Sequence, residues 1–279
     1  MSRNALDRNL FDLTGKIAVV TGAAGIQGVR VSRGLAAFGA RLACVDIAVD
    51  AVNRLAKEIK DEYGTDAVGI HCNVSNASDV ASMVDKVCKL FGGIHVLHNN
   101  AAAKTRDLRA FFAPFEEFSL EAWREVMAVN LDGMFLVAQA VGRQMVRQSL
   151  GGSIIQTAST YGVVGPDQRI YEGMSYDGRR MNSPAVYSAS KAAVIGLTRY
   201  LATYWADKGI RVNSLTPGGI DDENSKADPS FAAVYASRVP LGRMAVADDM
   251  VGAVVFLASD AASYVTGHNL VVDGGWTAW

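Results

Sequence analysis

Two hydrophobic periods alternate along the chain. Short apolar runs closed by glycine, acidic or amide residues read as buried strands, and stretches with apolar positions every three to four residues read as helices. The runs are Lys16–Thr21, Arg41–Asp46, Ala67–His71, Ile94–Asn100, Ser153–Ala158, Ile210–Leu215 and Asn269–Asp273. Between them fall helical patterns: from the glycines after Thr21 through Phe38, then Val49–Tyr63, Asp79–Phe91, Glu121–Val146 entered at Ser119, a helix opened near Tyr187 and running to Lys208, and Asp248–Ser259. Strand alternating with helix predicts an α/β fold, a doubly wound parallel sheet of about seven strands covered on both faces. Gly22, Asp46, Asn100, Ser159 and Pro217 then fall at strand carboxyl ends, where such sheets carry their ligands.

Composition narrows this picture. The 279 residues are 50% apolar with a net charge of −1, enough chain for one well-cored domain over 1–279 and no strong field for nucleic acid or an anionic membrane. Met1–Leu13 is polar, and no apolar run approaches the ~20 residues of a membrane span; a cytoplasmic protein is expected. Cys44, Cys72 and Cys88 lack ligand spacing and read as free thiols, with no metal expected. His95 and His98, three apart, point to opposite faces of a strand and read as structural.

Candidate chemistry begins at Gly22-Ala-Ala-Gly25-Ile26-Gln27-Gly28, between a strand and a helix. Glycines there let backbone approach a pyrophosphate, and the helix N-terminus attracts its charge. Asp46 ends the second strand 24 residues after Gly22, near the spacing at which a carboxylate meets an adenosine ribose. A carboxylate accepts from a free 2′-hydroxyl and repels a 2′-phosphate. Ile47 follows rather than arginine, so NAD is favoured over NADP. Tyr187 and Lys191 stand four apart on one helix face. An ammonium near a phenol lowers its pKa and suits it to general acid–base work. Tyr204 and Lys208 repeat the spacing, but seventeen residues on, at about 100° per residue, Tyr204 points elsewhere.

In order, these residues resemble the short-chain dehydrogenase/reductase family over Leu13 to Trp279. Thr21-Gly22…Gly28 is similar to its cofactor turn, Asn99-Asn100-Ala101-Ala102 to its NNAG segment, and Asn130, Ser159, Tyr187 and Lys191 to its catalytic tetrad. Pro217-Gly218 and Val272-Asp273-Gly274-Gly275 are similar to its C-terminal landmarks. The resemblance implies a Rossmann-like fold and hydride transfer between a secondary alcohol or ketone and the nicotinamide. It makes Tyr187 the acid–base, with Lys191 holding the nicotinamide ribose. Ser159 binds the substrate oxygen, and Asn130 holds a water behind Lys191. Asn73, Val74, Asn100, Ala101, Pro217, Gly218 and Ile220 complete the implied cofactor contacts. A homotetramer is expected on the same ground, with Trp276 and Trp279 where subunits often pack.

The chain also departs from the family pattern. Ile26 stands where the usual turn has glycine, giving the GxxGxxG spacing of the nucleotide-sugar branch. Asn73 replaces the aspartate that commonly reads adenine, Ala102 the glycine of NNAG, and Asp222 the threonine after Pro-Gly. Lys104–Phe118 and Gly165–Pro184 are longer than in compact members, and the second separates Ser159 from Tyr187 by 28 residues. A segment at about 220–240 is expected to act as a lid. The insertion, with Asp167, Gln168, Arg169, Glu172, Asp177, Arg179, Arg180 and Asn182, is polar. It is expected to arch over a polyhydroxylated substrate, with Arg169, Arg179 and Arg180 available to an anionic group. The insertion and the VDGGWTAW ending are also similar to family members of bacterial sugar and acidic-sugar metabolism. Alternatives are a 3-oxoacyl, steroid or aromatic carbonyl reductase, a nucleotide-sugar epimerase, and a non-catalytic NAD-binding regulator.

Overall fold

The computed structural model describes residues 9–221 and 229–279. Asp222 and part of the expected 220–240 lid lie outside them, as does the start of the N-terminal segment.

Strands β1 (Ile17–Thr21), β2 (Arg41–Asp46), β3 (Ala67–His71), β4 (Val96–Asn99), β5 (Gly152–Thr157), β8 (Ile210–Pro217) and β9 (Asn269–Val272) form one sheet in the order β3-β2-β1-β4-β5-β8-β9. Every pairing in it is parallel. Helices α1 (Ile26–Ala37), α2 (Val49–Tyr63) and α9 (Val251–Ala258) bury Val31, Leu35, Val52, Ile59 and Val254 in one core cluster. Helices α3 (Ala77–Phe91), α6 (Met134–Gln148) and α7 (Ala185–Tyr204) bury Val84, Val137, Val141 and Leu201 in the other. The expected doubly wound sheet is present. Its strands are near-continuous apolar runs because both faces are covered.

Local chemistry sets the boundaries. The Asn76 side chain accepts from the Ser78 and Asp79 amides, so α3 opens two residues before the expected Asp79. Ser119 caps α5 (Leu120–Met127) by accepting from the Ala122 amide. The expected single helix Glu121–Val146 is instead two. A wider π turn over Ala128–Gly133, with Asn130 in it, separates α5 from α6. End to end, Leu120–Gln148 is long and apolar enough to span a membrane, against the sequence expectation. Its apolar face is spent in the core, where Val137, Val141 and Met145 are fully buried. Asp248–Ser259 likewise splits into a 3-10 turn over Ala247–Met250 and α9.

The Gly165–Pro184 insertion has structure of its own. A 3-10 turn covers Gln168–Tyr171, and β6 (Ser175–Tyr176) pairs with β7 (Arg179–Arg180) as a small hairpin. Asp177 and Gly178 take positive φ at its tip, as an Asp-Gly hairpin turn requires. The insertion touches both flanks of the cleft. The Asn182 amide donates to the Phe112 carbonyl at 2.9 Å, and Arg109 pairs with Asp177 at 2.9 Å. On the other side Tyr171 stacks on Phe231 of α8 (Pro229–Ala236), and Arg238 pairs with Asp167 at 2.5 Å.

Candidate active site

The cofactor side is built from backbone in close contact. A Cβ on Gly28 would stand 2.1 Å from the Gly22 carbonyl oxygen, and one on Gly22 would stand 2.9 Å from the Ala101 Cα. Thr21 ties the turn to the β4 end, where its hydroxyl accepts from the Asn100 amide (2.9 Å) and the Ala101 amide (3.1 Å). Asn99, fully inside, donates to the Met134 carbonyl and to Gln156, both at 2.8 Å. Helix α1 starts at Ile26 with no side-chain cap and no acid in its first turn, so its leading N–H groups are left for an anion. Gln27 reaches inward to His98 at 3.4 Å. Burial pushes that imidazole down to about 3, which leaves it neutral and structural.

Asp46 has two roles. Its Oδ2 accepts from the Ala24 amide and its Oδ1 from the Ala48 amide, so it braces the glycine turn and also opens α2. Ile47 beside it is 66% exposed and offers no cation. Asn73 Oδ1 is engaged by Ser75 within its own turn. Val74 is buried and packs where a Cβ on Gly133 would meet it. Gly218 lies against Asp273, with its amide donating to the Val272 carbonyl; Ile220 bridges to Ala245. A nicotinamide dinucleotide fits these residues. The glycine turn and α1 would hold its pyrophosphate, Asp46 one ribose, Lys191 and Tyr187 the other, and Pro217–Ile220 the nicotinamide end.

The tetrad comes together around α7. Lys191 is 2% exposed, and its Nζ donates to the Thr157 carbonyl at 2.9 Å. Burial pushes its ammonium down to about 8. The same Nζ stands 5.9 Å from the centre of the Tyr187 ring. Ser159 follows β5, and its hydroxyl accepts from the Tyr161 amide. Gly162 closes that turn so tightly against α7 that a Cβ would lie 2.6 Å from the Lys191 carbonyl carbon. Asn130 Oδ1 accepts from the Ala103 amide at 2.8 Å, while its Nδ2 is buried without a partner. That is the donor a bridging water would take. Tyr204 is 62% exposed and stacks on Tyr200, away from the site.

Burial raises the Tyr187 phenol above its ordinary value, and the Ser159 hydroxyl only works against that rise.

The three expected substrate arginines do not converge on Ser159 and Tyr187. Arg169 is bound by Asp167 through Nε and Nη2 at 2.8 and 2.9 Å. Arg179 lies 3.8 Å from Glu117. Arg180 lines a cavity of about 790 Å³ with Pro114, Phe118, Gln168, Asn182 and Ser188, whose lining includes none of the four tetrad residues. What the sequence reading missed is aromatic. Tyr161, Tyr171, Phe231, Tyr235 and Trp276 pack together around Ile170 and Val239. Tyr235 stacks on Trp276 at 4.4 Å, and its hydroxyl accepts from the Gly219 amide at 2.6 Å. No motif marks these residues, because they lie on four separate segments.

The family model described as enoyl-(acyl carrier protein) reductase matches residues 22–277. The chain is 37% identical to D-threitol dehydrogenase of Mycolicibacterium smegmatis, over 96% of this chain and 95% of that one. A gluconate 5-dehydrogenase from Burkholderia cenocepacia, solved with NADP and tartrate, superposes with a TM-score of 0.84 at 33% identity, covering 97% and 98% of the two chains. An NAD+-bound xylitol dehydrogenase does so with a TM-score of 0.82 at 31% identity, covering 94% and 99%.

Proposed function

The chain belongs to the short-chain dehydrogenase/reductase family, and we propose on that premise that it is an NAD-dependent dehydrogenase of a polyol, sugar or sugar acid. The carrying observation is the tetrad gathered around α7, with the phenols of Tyr161, Tyr171 and Tyr235 close to Tyr187. A 3-oxoacyl or steroid pocket would present apolar walls instead. Relatives named for threitol and gluconate chemistry support the same substrate class.

Hydride acceptance is the chemistry a nicotinamide supplies when bound. The chain's own part is the proton and the geometry. In the oxidation direction Tyr187 Oη takes the proton of the substrate hydroxyl while the Ser159 hydroxyl bonds the same oxygen. Lys191, fixed by Thr157, keeps positive charge beside the phenolate that takes this proton, and the phenol is the form left after the step. Asn130 Nδ2 is placed to hold a water that passes the proton outward. In the reduction direction the raised Tyr187 phenol is already protonated at neutral pH and acts as the acid.

Relatives exist with either cofactor, so the choice falls to Asp46 and Ile47. A carboxylate beside a 2′-phosphate costs more than ~1.4 kcal/mol at short range, so kcat/KM for NAD should exceed that for NADP at least ~10-fold. We further propose a homotetramer working in the cytoplasm. Trp276 serves its own chain, but Tyr200, Tyr204 and Trp279 are exposed and available to other subunits. The test of function is a panel of polyols and aldonates followed by NADH absorbance. Turnover of at least one polyhydroxylated substrate, lost by about 10³-fold or more in Tyr187→Phe, is expected. Reduction should stay flat around neutral pH, because the phenol is protonated throughout that range. Turnover confined to apolar ketones would refute the substrate class.

A further inference from the structure

Three phenols face the substrate side near Tyr187, and they are not equivalent. Tyr235 accepts from the Gly219 amide. Tyr171 has the Ser183 hydroxyl acting on it. The Tyr161 oxygen is buried and makes no hydrogen bond of good geometry; it interacts with the Tyr171 hydroxyl, with Tyr235 and Tyr187 close by. An orphaned hydroxyl inside a protein costs free energy, so its retention calls for an explanation.

Its place in the fold supplies one. Tyr161 lies on the turn that begins with Ser159, and Gly162 seals that turn against Lys191. The Ser159 hydroxyl accepts from the Tyr161 amide itself. The residue is therefore fixed relative to the two groups that grip the reacting oxygen. Opposite it stands Tyr171, on the insertion. The insertion holds to the α8 side through the Tyr171–Phe231 stack, at 5.7 Å, and the half-buried Asp167–Arg238 pair. For a ligand to reach the Tyr161 oxygen that wall must shift outward, whereas the Ser159 turn is held against α7 at Gly162.

We propose that the Tyr161 hydroxyl binds a substrate hydroxyl on the carbon next to the one oxidised or reduced, and so selects vicinal polyols and ketoses over simple secondary alcohols. This rests on the polyhydroxylated substrate class proposed above. A site built to bond a hydroxyl rejects the analogue lacking it, since its own polar group is then left unpaired. In Tyr161→Phe that selectivity disappears, and the orphan disappears with it.

The experiment compares wild type with Tyr161→Phe on the polyol of the panel (threitol, xylitol, galactitol, gluconate) that wild type oxidises fastest. The second substrate is that polyol's analogue lacking the hydroxyls on both carbons next to the reacting one; for threitol it is 1,3-butanediol. Thermal unfolding of both proteins is recorded without ligand. Wild type should prefer the polyol. Tyr161→Phe should lose about 10–100-fold in kcat/KM on the polyol and about two-fold or less on the analogue. Its melting temperature should stay within a degree or two, because only the poorly aligned contact with the Tyr171 hydroxyl is lost in the free protein. Equal losses on both substrates, no loss on either, or a melting temperature lower by several degrees would overturn the assignment and leave the substrate class standing. A wild type inert towards the whole panel would sink both.

Discussion

The two halves of the cleft are held by different physics. The cofactor half is backbone against backbone, with Gly28 on the Gly22 carbonyl, Gly22 on Ala101, and Thr21 bonding two successive amides of the β4 end. The substrate half is side chain against side chain: a Tyr171–Phe231 stack, a Tyr235–Trp276 stack, and an Asp167–Arg238 ion pair. Backbone contacts leave no room for substitution, whereas side-chain contacts can be exchanged one at a time. A fold that keeps one cofactor and changes substrates needs that asymmetry.

The sharpest way to break the comparison is at Gly28. In Gly28→Ala the new Cβ would meet the Gly22 carbonyl oxygen at 2.1 Å, and no rotamer relieves a clash with backbone. NADH affinity, read by fluorescence titration, should fall at least about 100-fold, with a melting temperature several degrees lower. Gly25→Ala is the control, since its Cβ meets the same oxygen only at 3.3 Å. If both variants bind alike, the cofactor half is not set by close backbone approach.

The corresponding cut on the other side removes the insertion down to the compact family length. KM for the best polyhydroxylated substrate should rise about 10–100-fold, because Tyr171 and the wall facing Tyr161 go with it. NAD affinity should stay within a few-fold, because no cofactor residue named above lies in the removed segment. An unchanged kcat/KM across polar substrates would show that the insertion is not a substrate element.

The same asymmetry explains what was legible in the sequence. Period and punctuation placed all seven sheet strands, β2 and β3 to the residue, because both-face burial makes each one a continuous apolar run. The tetrad and cofactor turn were legible because strand ends gather short, ordered motifs. The π turn at Asn130 showed only as an asparagine in an odd place. The hairpin at Asp177-Gly178 carried a signal in its dipeptide that the length of the insertion hid. The arginines misled because charge composition does not say which carboxylate lies nearby; Asp167, two residues from Arg169, did. The aromatic cluster joins Tyr161, Tyr171, Tyr235 and Trp276 across more than a hundred residues, and no local pattern records such a contact.

Lys191 lies at the seam between the halves and sharpens the contrast between function and stability. Its ammonium is buried with one carbonyl partner and titrates at about 8 rather than near 10.5. The unfolded chain therefore holds that proton more tightly than the folded one, and the charge destabilises the fold at neutral pH. Above about 8 the folded lysine releases its proton first, so the cost declines between there and 10.5. Lys191→Met should abolish turnover yet unfold no more easily at pH 7, with a gain of order ~1–3 kcal/mol. That gain should shrink as pH rises from about 8 to 10. Denaturant unfolding of both proteins at pH 7 and pH 9.5 measures it, and a variant less stable at both would show that the Thr157 bond outweighs desolvation.

The smallest expected effect is at Asp167, and it tests how loosely the substrate wall is fastened. Its carboxylate takes Arg169 through two nitrogens and Arg238 through one, and these bonds hold its pKa below the usual value, Arg169 first. The arginine partners are well exposed, 69% and 37%, so the attraction is screened and offset by side-chain ordering. An ion pair of this kind contributes about 0–1 kcal/mol, which for a chain of this size moves the melting temperature by about 4 °C at most. Asp167→Asn should therefore leave stability nearly unchanged while raising substrate KM about two- to five-fold, with kcat and NADH affinity untouched. Because the carboxylate is ionised above its depressed pKa, the difference should be constant from pH 6 to 9. It should fade in 0.5 M salt, where exposed charges are screened within a few ångströms. A KM change that survives high salt would mean that Asp167 contacts the substrate itself rather than fastening the wall beside it.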